Sequence, residues 1–79
     1  MKIKRGTVAR ITAGHDSNRF VAVLETNGRS ARVADGKTRS IQSPKKKNLI
    51  HLWPTATVLS EEEMRSDNAL RAALKRYGA

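Results

Sequence analysis

The chain holds two histidines, His15 and His51, and no cysteine. They stand in separate segments, and the acids of the first three quarters, Asp16, Glu25 and Asp35, are scattered. Nothing in this pattern pairs a nucleophile with a base, sets two carboxylates to work together, or spaces ligands around a metal. The run Glu61-Glu62-Glu63 is of the kind that opens a helix, where the positive end of the dipole favours carboxylates. Catalytic residues, metal ligands and a cofactor are therefore not expected. What remains is cationic chemistry, since 16 Lys and Arg face 7 Asp and Glu among 79 residues, a formal charge of +9.

That charge is unevenly placed. Residues 1–59 carry 12 cations against 3 acids, whereas residues 60–79 carry 4 of each. Solubility alone does not call for a one-signed body beside a neutral tail. A small body with this excess makes a strong positive field, and the commonest polyanion in a cell is nucleic acid.

Which cations would meet such a ligand follows from the loops. The segment Gly14-His15-Asp16-Ser17-Asn18-Arg19 is a glycine-led polar loop between two strand-like runs. Gly14 frees the backbone to turn and to offer amides to a phosphate, while His15, Asn18 and Arg19 stand where side chains reach sugar, phosphate or an unstacked base. An ordinary hairpin loop, capped by Asp16 and Ser17, is the plainer reading of the same residues. After Pro44 comes Lys45-Lys46-Lys47-Asn48, read as a stiffened loop whose three adjacent ammonium groups deepen one positive face. Arg5, Lys37 and Arg39 are expected to engage phosphates as well, with Arg10, Arg29 and Arg32 adding to the field. Phe20 and Trp53 are the aromatics of the body, and in so small a core packing ranks ahead of base stacking.

These residues need a scaffold. A chain of this length forms one small domain, and without cysteine it has no disulfide framework. No apolar run approaches the 18 or so residues of a membrane span. The start Met1-Lys2-Ile3-Lys4-Arg5 is basic like a signal peptide's, but Gly6-Thr7-Val8-Ala9-Arg10 puts no continuous apolar stretch behind it, so a cytoplasmic protein is expected. Strands are predicted at Thr7–Thr12, Phe20–Thr26, Ser30–Ala34, Leu49–Trp53 and Ala56–Leu59. Asn27-Gly28 is a hairpin signal of the type I′ kind, and Asp35-Gly36 suggests a second hairpin to a short strand around Thr38–Ile41. Strands this short and this closely spaced predict a small all-β barrel over residues 1–59.

Residues 60–79 change period. Leu70, Ala73, Leu74 and Tyr77 form one helical stripe, capped by Ser66 or Asp67 and ended by Gly78. Ser60 to Glu63 is a capping-box pattern, and Met64 lies off the stripe, so a break is expected near Ser66. The stripe is expected to dock on the barrel as part of the same domain.

Gly6 to Leu24 resembles the KOW motif, which lies on the first hairpin of an SH3-like barrel. Val33-Ala34-Asp35-Gly36 and Pro44-Lys45-Lys46-Lys47-Asn48-Leu49-Ile50-His51-Leu52 extend the likeness to bacterial KOW-domain RNA-binding proteins, similar to KOW proteins of the archaeal and eukaryotic large ribosomal subunit. The resemblance covers residues 3–53 and implies an SH3-like barrel with one C-terminal helix that binds structured RNA, ribosomal RNA among the candidates. Carried over by position, it implies a binding loop from Gly14 to Arg19 and a basic loop from Lys45 to Asn48, with His51 nearby. Many relatives have a basic residue at His15 and a Lys-Gly pair at Ser17-Asn18, so this loop tip carries less charge. The implied partner is RNA, in or near the large ribosomal subunit, with the protein a monomer when free and no membrane involved. The alternative is a KOW module that docks on proteins of the transcription or translation machinery. Three aromatics in the chain argue against an aromatic-lined peptide groove but leave an acidic protein surface open.

Overall fold

Val8-Ala9 and Val21-Ala22-Val23-Leu24 are apolar on successive positions, so their side chains leave both sides of any strand they form. A sheet built from them must be covered twice. The computed structural model describes residues 3–77 and shows how. Five antiparallel strands, β1 (Thr7–Ile11), β2 (Phe20–Asn27), β3 (Ser30–Ala34), β4 (Lys45–Asn48) and β5 (Leu52–Val58), lie in the order β4-β3-β2-β1-β5. The sheet curls into a small barrel. Its inner face buries Ala9, Ile11, Val21, Val23, Ala31, Val33 and Leu52 against one another. Its outer face buries Val8, Ala22, Leu24 and Ala34 under Met64 and the C-terminal helix α1 (Asp67–Leu74), the helix contributing Leu70 and Leu74. Leu24, two residues on from Ala22, joins the outer layer, and a bulge between Val23 and Glu25 sets Glu25 opposite Arg32.

The two edge strands are adjacent in sequence. Between β4 and β5 lies only a 3₁₀ turn, Leu49–His51, bound on one side by Leu49 N–H to the Arg29 carbonyl and on the other by Thr12 N–H to the His51 carbonyl. This turn carries the chain from one edge strand to the other, and β4 and β5 form no ladder with each other.

Several sequence expectations change here. The predicted strand Leu49–Trp53 begins as that turn, and the strand proper runs on through Pro54 to Val58. No strand forms at Thr38–Ile41. The partner of β3 is instead Lys45–Asn48, so the lysine run is a strand rather than a stiffened loop. The β2–β3 turn is centred one residue later than Asn27-Gly28: Asn27 pairs with Ser30, and only Gly28 takes a positive φ, +62°. Glycine at the first central position is the type II′ preference, and it also matches the strand twist.

The tail breaks where expected. Ser60 and Glu63 form the reciprocal capping box, Glu63 Oε1 accepting from Ser60 N–H at 2.9 Å and Ser60 Oγ from Glu63 N–H at 3.2 Å. A 3₁₀ turn (Glu62–Met64) follows, then Ser66 caps α1 by accepting from Ala69 N–H. Arg5 ties this tail to the barrel, with Nε and Nη2 donating to the Glu61 carboxylate at 2.8 and 2.9 Å and Nη1 to the Leu24 carbonyl. Gly78, expected to end the helix, and the start Met1-Lys2 lie outside the described residues. Among the described residues no helix is long and apolar enough to cross a membrane.

Helix and barrel meet most tightly at Gly36. Its φ is +77°, and a Cβ there would fall on the Asp67 carbonyl and within 3.0 Å of Arg71 N. Gly36→Ala is therefore expected to destabilise the fold by more than about 1 kcal/mol, and Leu70→Ala, from a fully buried site, by about 2–5 kcal/mol. Urea denaturation measures both; unchanged midpoints would mean that the helix is not held this way.

The tail also has a pH signature. Hydrogen bonding by Arg5 lowers the Glu61 pKa, and the Ser60 backbone N–H lowers that of Glu63. A carboxylate with a lowered folded pKa stabilises fully above its unfolded value, here near 4.5. That stability is lost as pH falls through the folded value. Stability contributed by this pair should be flat from pH 7 to 5 and decline below. Glu61→Gln should shrink the acid limb of a denaturation-midpoint profile, and an identical limb would exclude the Arg5–Glu61 contact as a cause.

Candidate nucleic-acid interface

The loop from Thr12 to Arg19 is built by its own backbone. Asn18 N–H reaches the Ile11 carbonyl at 2.7 Å, Arg19 N–H the Asp16 carbonyl at 3.1 Å, and Ser17 donates twice to the Gly14 carbonyl, from N–H and from Oγ. Asn18 sits at φ +70°, a left-handed conformation that asparagine tolerates better than most residues. Its Oδ1 accepts from Arg10 Nη1 at 2.9 Å. His15 stands exposed at the tip, and Asp16, half-buried, receives Lys45 Nζ at 3.5 Å.

Beyond Asn18 the chain enters a cleft of about 410 Å³. Asn18, Arg19 and Phe20 line it from the first hairpin, Asp35, Lys37 and Thr38 from the following turn, and Arg71, Lys75 and Tyr77 from the tail. Each part is held by an identifiable contact. Asp35 Oδ1 accepts from the N–H groups of Lys37 and Arg39 at 2.8 and 2.9 Å, which folds the turn. Asp67, in the first turn of α1, accepts from Ile41 N–H and pins the far end of the same segment. Arg19 Nη1 donates to Thr38 Oγ1 at 2.8 Å and spans the two loops.

Aromatic rings make the floor. Phe20 and Tyr77 stack with centroids 5.0 Å apart and planes inclined by 28°. The Tyr77 hydroxyl bonds Thr57 of β5, and the Arg76 guanidinium lies 5.7 Å from the Tyr77 centroid. Four cations thus share one apolar floor with one carboxylate, whose Oδ1 already serves two backbone donors. A cleft walled by one sign of charge over low-dielectric material focuses its field on an incoming anion. Among the described residues no three of His, Cys, Asp or Glu gather as metal ligands.

The residues singled out from sequence part into groups. Asn18, Arg19 and Lys37 meet in the cleft. Gly14, Lys45 and Lys47 lie together on the other side of the first loop, Lys47 Nζ coming within 3.5 Å of where a Gly14 Cβ would be. Lys46 is turned away from them: it pairs with Arg32, which in turn faces Glu25, so strand alternation sends the three lysines to two faces rather than one. Arg5 is occupied by Glu61 and Leu24. Arg39 is half-buried, with Nε enclosed and without a partner. Asn48 caps the 3₁₀ turn through Oδ1, and His51 belongs to that turn, its carbonyl holding Thr12.

Arg71, Lys75 and Tyr77 do not stand out in the sequence as site residues, and Phe20, for which packing ranks ahead of base stacking, lines the cleft as well. Counting residues 60–79 as neutral hid their order, with the acids gathered towards the start and Lys75 and Arg76 at the end. Arg71 and Lys75 each follow a stripe leucine, at a spacing of four, and that spacing places both on one edge of the docked helix.

No protein-family model matches this sequence, and no curated protein is similar to it. A double-mutant cycle on Phe20→Leu and Tyr77→Leu should give a coupling of about 0.5–1.5 kcal/mol, the worth of a stacked pair beyond its buried area. A coupling of zero in denaturation experiments would remove the stacked floor.

Proposed function

We propose that this chain is a non-catalytic RNA-binding module that takes structured RNA into the cationic cleft. The observation that carries the reading is the convergence of Arg19, Lys37, Arg71 and Lys75 over the Phe20–Tyr77 floor. Phosphates would be held by these four cations. Asn18 and Thr38 border the same space with groups able to reach a 2′-hydroxyl, which is what distinguishes RNA from DNA at a site. His15, at the exposed tip, and Lys46, on the outer side of β4, extend the positive field beyond the cleft.

The resemblance of Gly6 to Leu52 to the bacterial KOW-domain proteins supports the same function and suggests ribosomal RNA as ligand. In that reading the protein acts in the cytoplasm, near the large ribosomal subunit, and is a monomer when free. The alternative, docking on a protein of the transcription or translation machinery, draws support from Ile50, which is 78% exposed. An acidic protein surface would also meet the four cations, and RNA is preferred because Asn18 and Thr38 border the same cleft with groups suited to a 2′-hydroxyl.

Each phosphate contact steepens the dependence of log K on log salt by about 0.7–0.9. Replacing Arg19, Lys37, Arg71 and Lys75 together, all exposed, should flatten the slope for a structured RNA by about 3 units. Arg29→Gln, at the far end of the β2–β3 hairpin, should leave the slope as it is. A slope unmoved by the fourfold replacement would place RNA elsewhere or nowhere on this protein.

A further inference from the structure

Trp53 is the chain's single tryptophan, and it is 62% exposed. An indole of this size left in water costs about 25 cal/mol for each Å² of apolar surface that a fold could have buried. Leu52 beside it is packed inside the barrel, so strand alternation sends Trp53 to the outer face, where the C-terminal helix does not cover it. The exposure therefore calls for a partner.

Register places that partner. Arg10 of β1 lies directly between Trp53 of β5 and Phe20 of β2, so the three side chains share the outer face in one row across the strands. Two strand spacings separate Trp53 from Phe20, about 10 Å. Phe20 is the floor of the cationic cleft, and Arg10 is held by Asn18 at the cleft's edge. The row thus leads from four cations, past a fifth, to an exposed indole. On its other side Trp53 borders a shallow groove with Ile50, Leu49, Ile3 and Pro54, which has no ionisable group in its lining.

We infer that Trp53 is a stacking platform for an unpaired base of the RNA whose phosphates occupy the cleft. The inference rests on the RNA-binding reading and narrows it to RNA with a bulged, looped or single-stranded nucleotide beside the gripped backbone. A base has a π-face that stacks on indole whatever its identity, and its phosphate carries the charge that Arg10 and the cleft neutralise. A paired base offers no such face, because its neighbours in the helix already cover it. An acidic protein would meet Arg10 and the cleft and an apolar one the groove, but a nucleotide joins an anionic phosphate to a flat π-face in a single unit, as the row does. The row therefore favours nucleic acid.

Trp53 reports on itself, being the only indole. Its fluorescence should be quenched when an RNA duplex carrying a single-nucleotide bulge is titrated in, and should stay unchanged with the fully paired duplex of the same length. Binding of both RNAs is followed independently by anisotropy of an end label. Trp53→Ala should weaken binding of the bulged RNA about 5- to 150-fold and leave the paired duplex unaffected, while Trp53→Phe keeps most of the affinity. Because the side chain is largely exposed, circular dichroism should find the variants folded. If the bulged RNA binds without quenching and Trp53→Ala binds it normally, the stacking inference falls while RNA binding stands. Equal quenching by both RNAs overturns the preference for an unpaired base. If neither RNA binds at low salt, the functional reading and this inference fall together, and a protein becomes the better occupant of the Trp53 face.

Discussion

The docking of Leu70 and Leu74 on the outer face of the sheet is the contact from which the rest follows. The strands are apolar on both sides because a chain of this size cannot build two separate layers of sheet. One layer must therefore serve as the wall of two cores, the barrel interior and the helix seat. Without the helix, Val8, Ala22, Leu24 and Ala34 would face water together. With it, Arg71, Lys75 and Tyr77 are carried to Phe20, and a cleft appears that neither the barrel nor the tail has alone. Core packing and site assembly are one event.

Much of the fold was legible because local and long-range signals agree. The β-branched runs became β1, β2 and β3 nearly to the residue, and the capping residues at Ser60 and Ser66 divided the tail as their hydrogen bonds now show. What escaped was a strand made of Lys45-Lys46-Lys47-Asn48. Its residues have little strand preference of their own, and the pairing is imposed by β3 and by the need to lead into the turn before β5. Pro54 separates two strands predicted apart, Leu49–Trp53 and Ala56–Leu59, that the structure joins. On an edge strand it has no ladder donor to lose on its outer side, so β5 runs through it.

The site was half legible. Loop position and charge pointed to Asn18, Arg19 and Lys37, which do meet. They pointed equally to Arg5, whose guanidinium is taken up by Glu61 and Leu24, and to Asn48, whose Oδ1 caps the 3₁₀ turn. Composition cannot separate a cation that holds the fold together from one left for a ligand. The tail's contribution was hidden differently, by a net charge of zero. What matters in a docked helix is where along its length each sign lies, and here the cations fall at the end that reaches the cleft.

The lysine run has a meaning that differs from the one its charge first suggests. A barrel with five strands in one open ladder keeps two edges, and here they are β4 and β5. Unpaired edges are templates for other chains, and each added strand would present the same edge again. Along β4 every approach to the free amides passes three ammonium groups, spread over both faces of the strand; along β5 it meets Pro54. Two sequence features that look unrelated, a basic run and an ill-placed proline, thus guard opposite rims against the same error, and a molecule with so much β structure can crowd its neighbours without joining them into a continuous sheet.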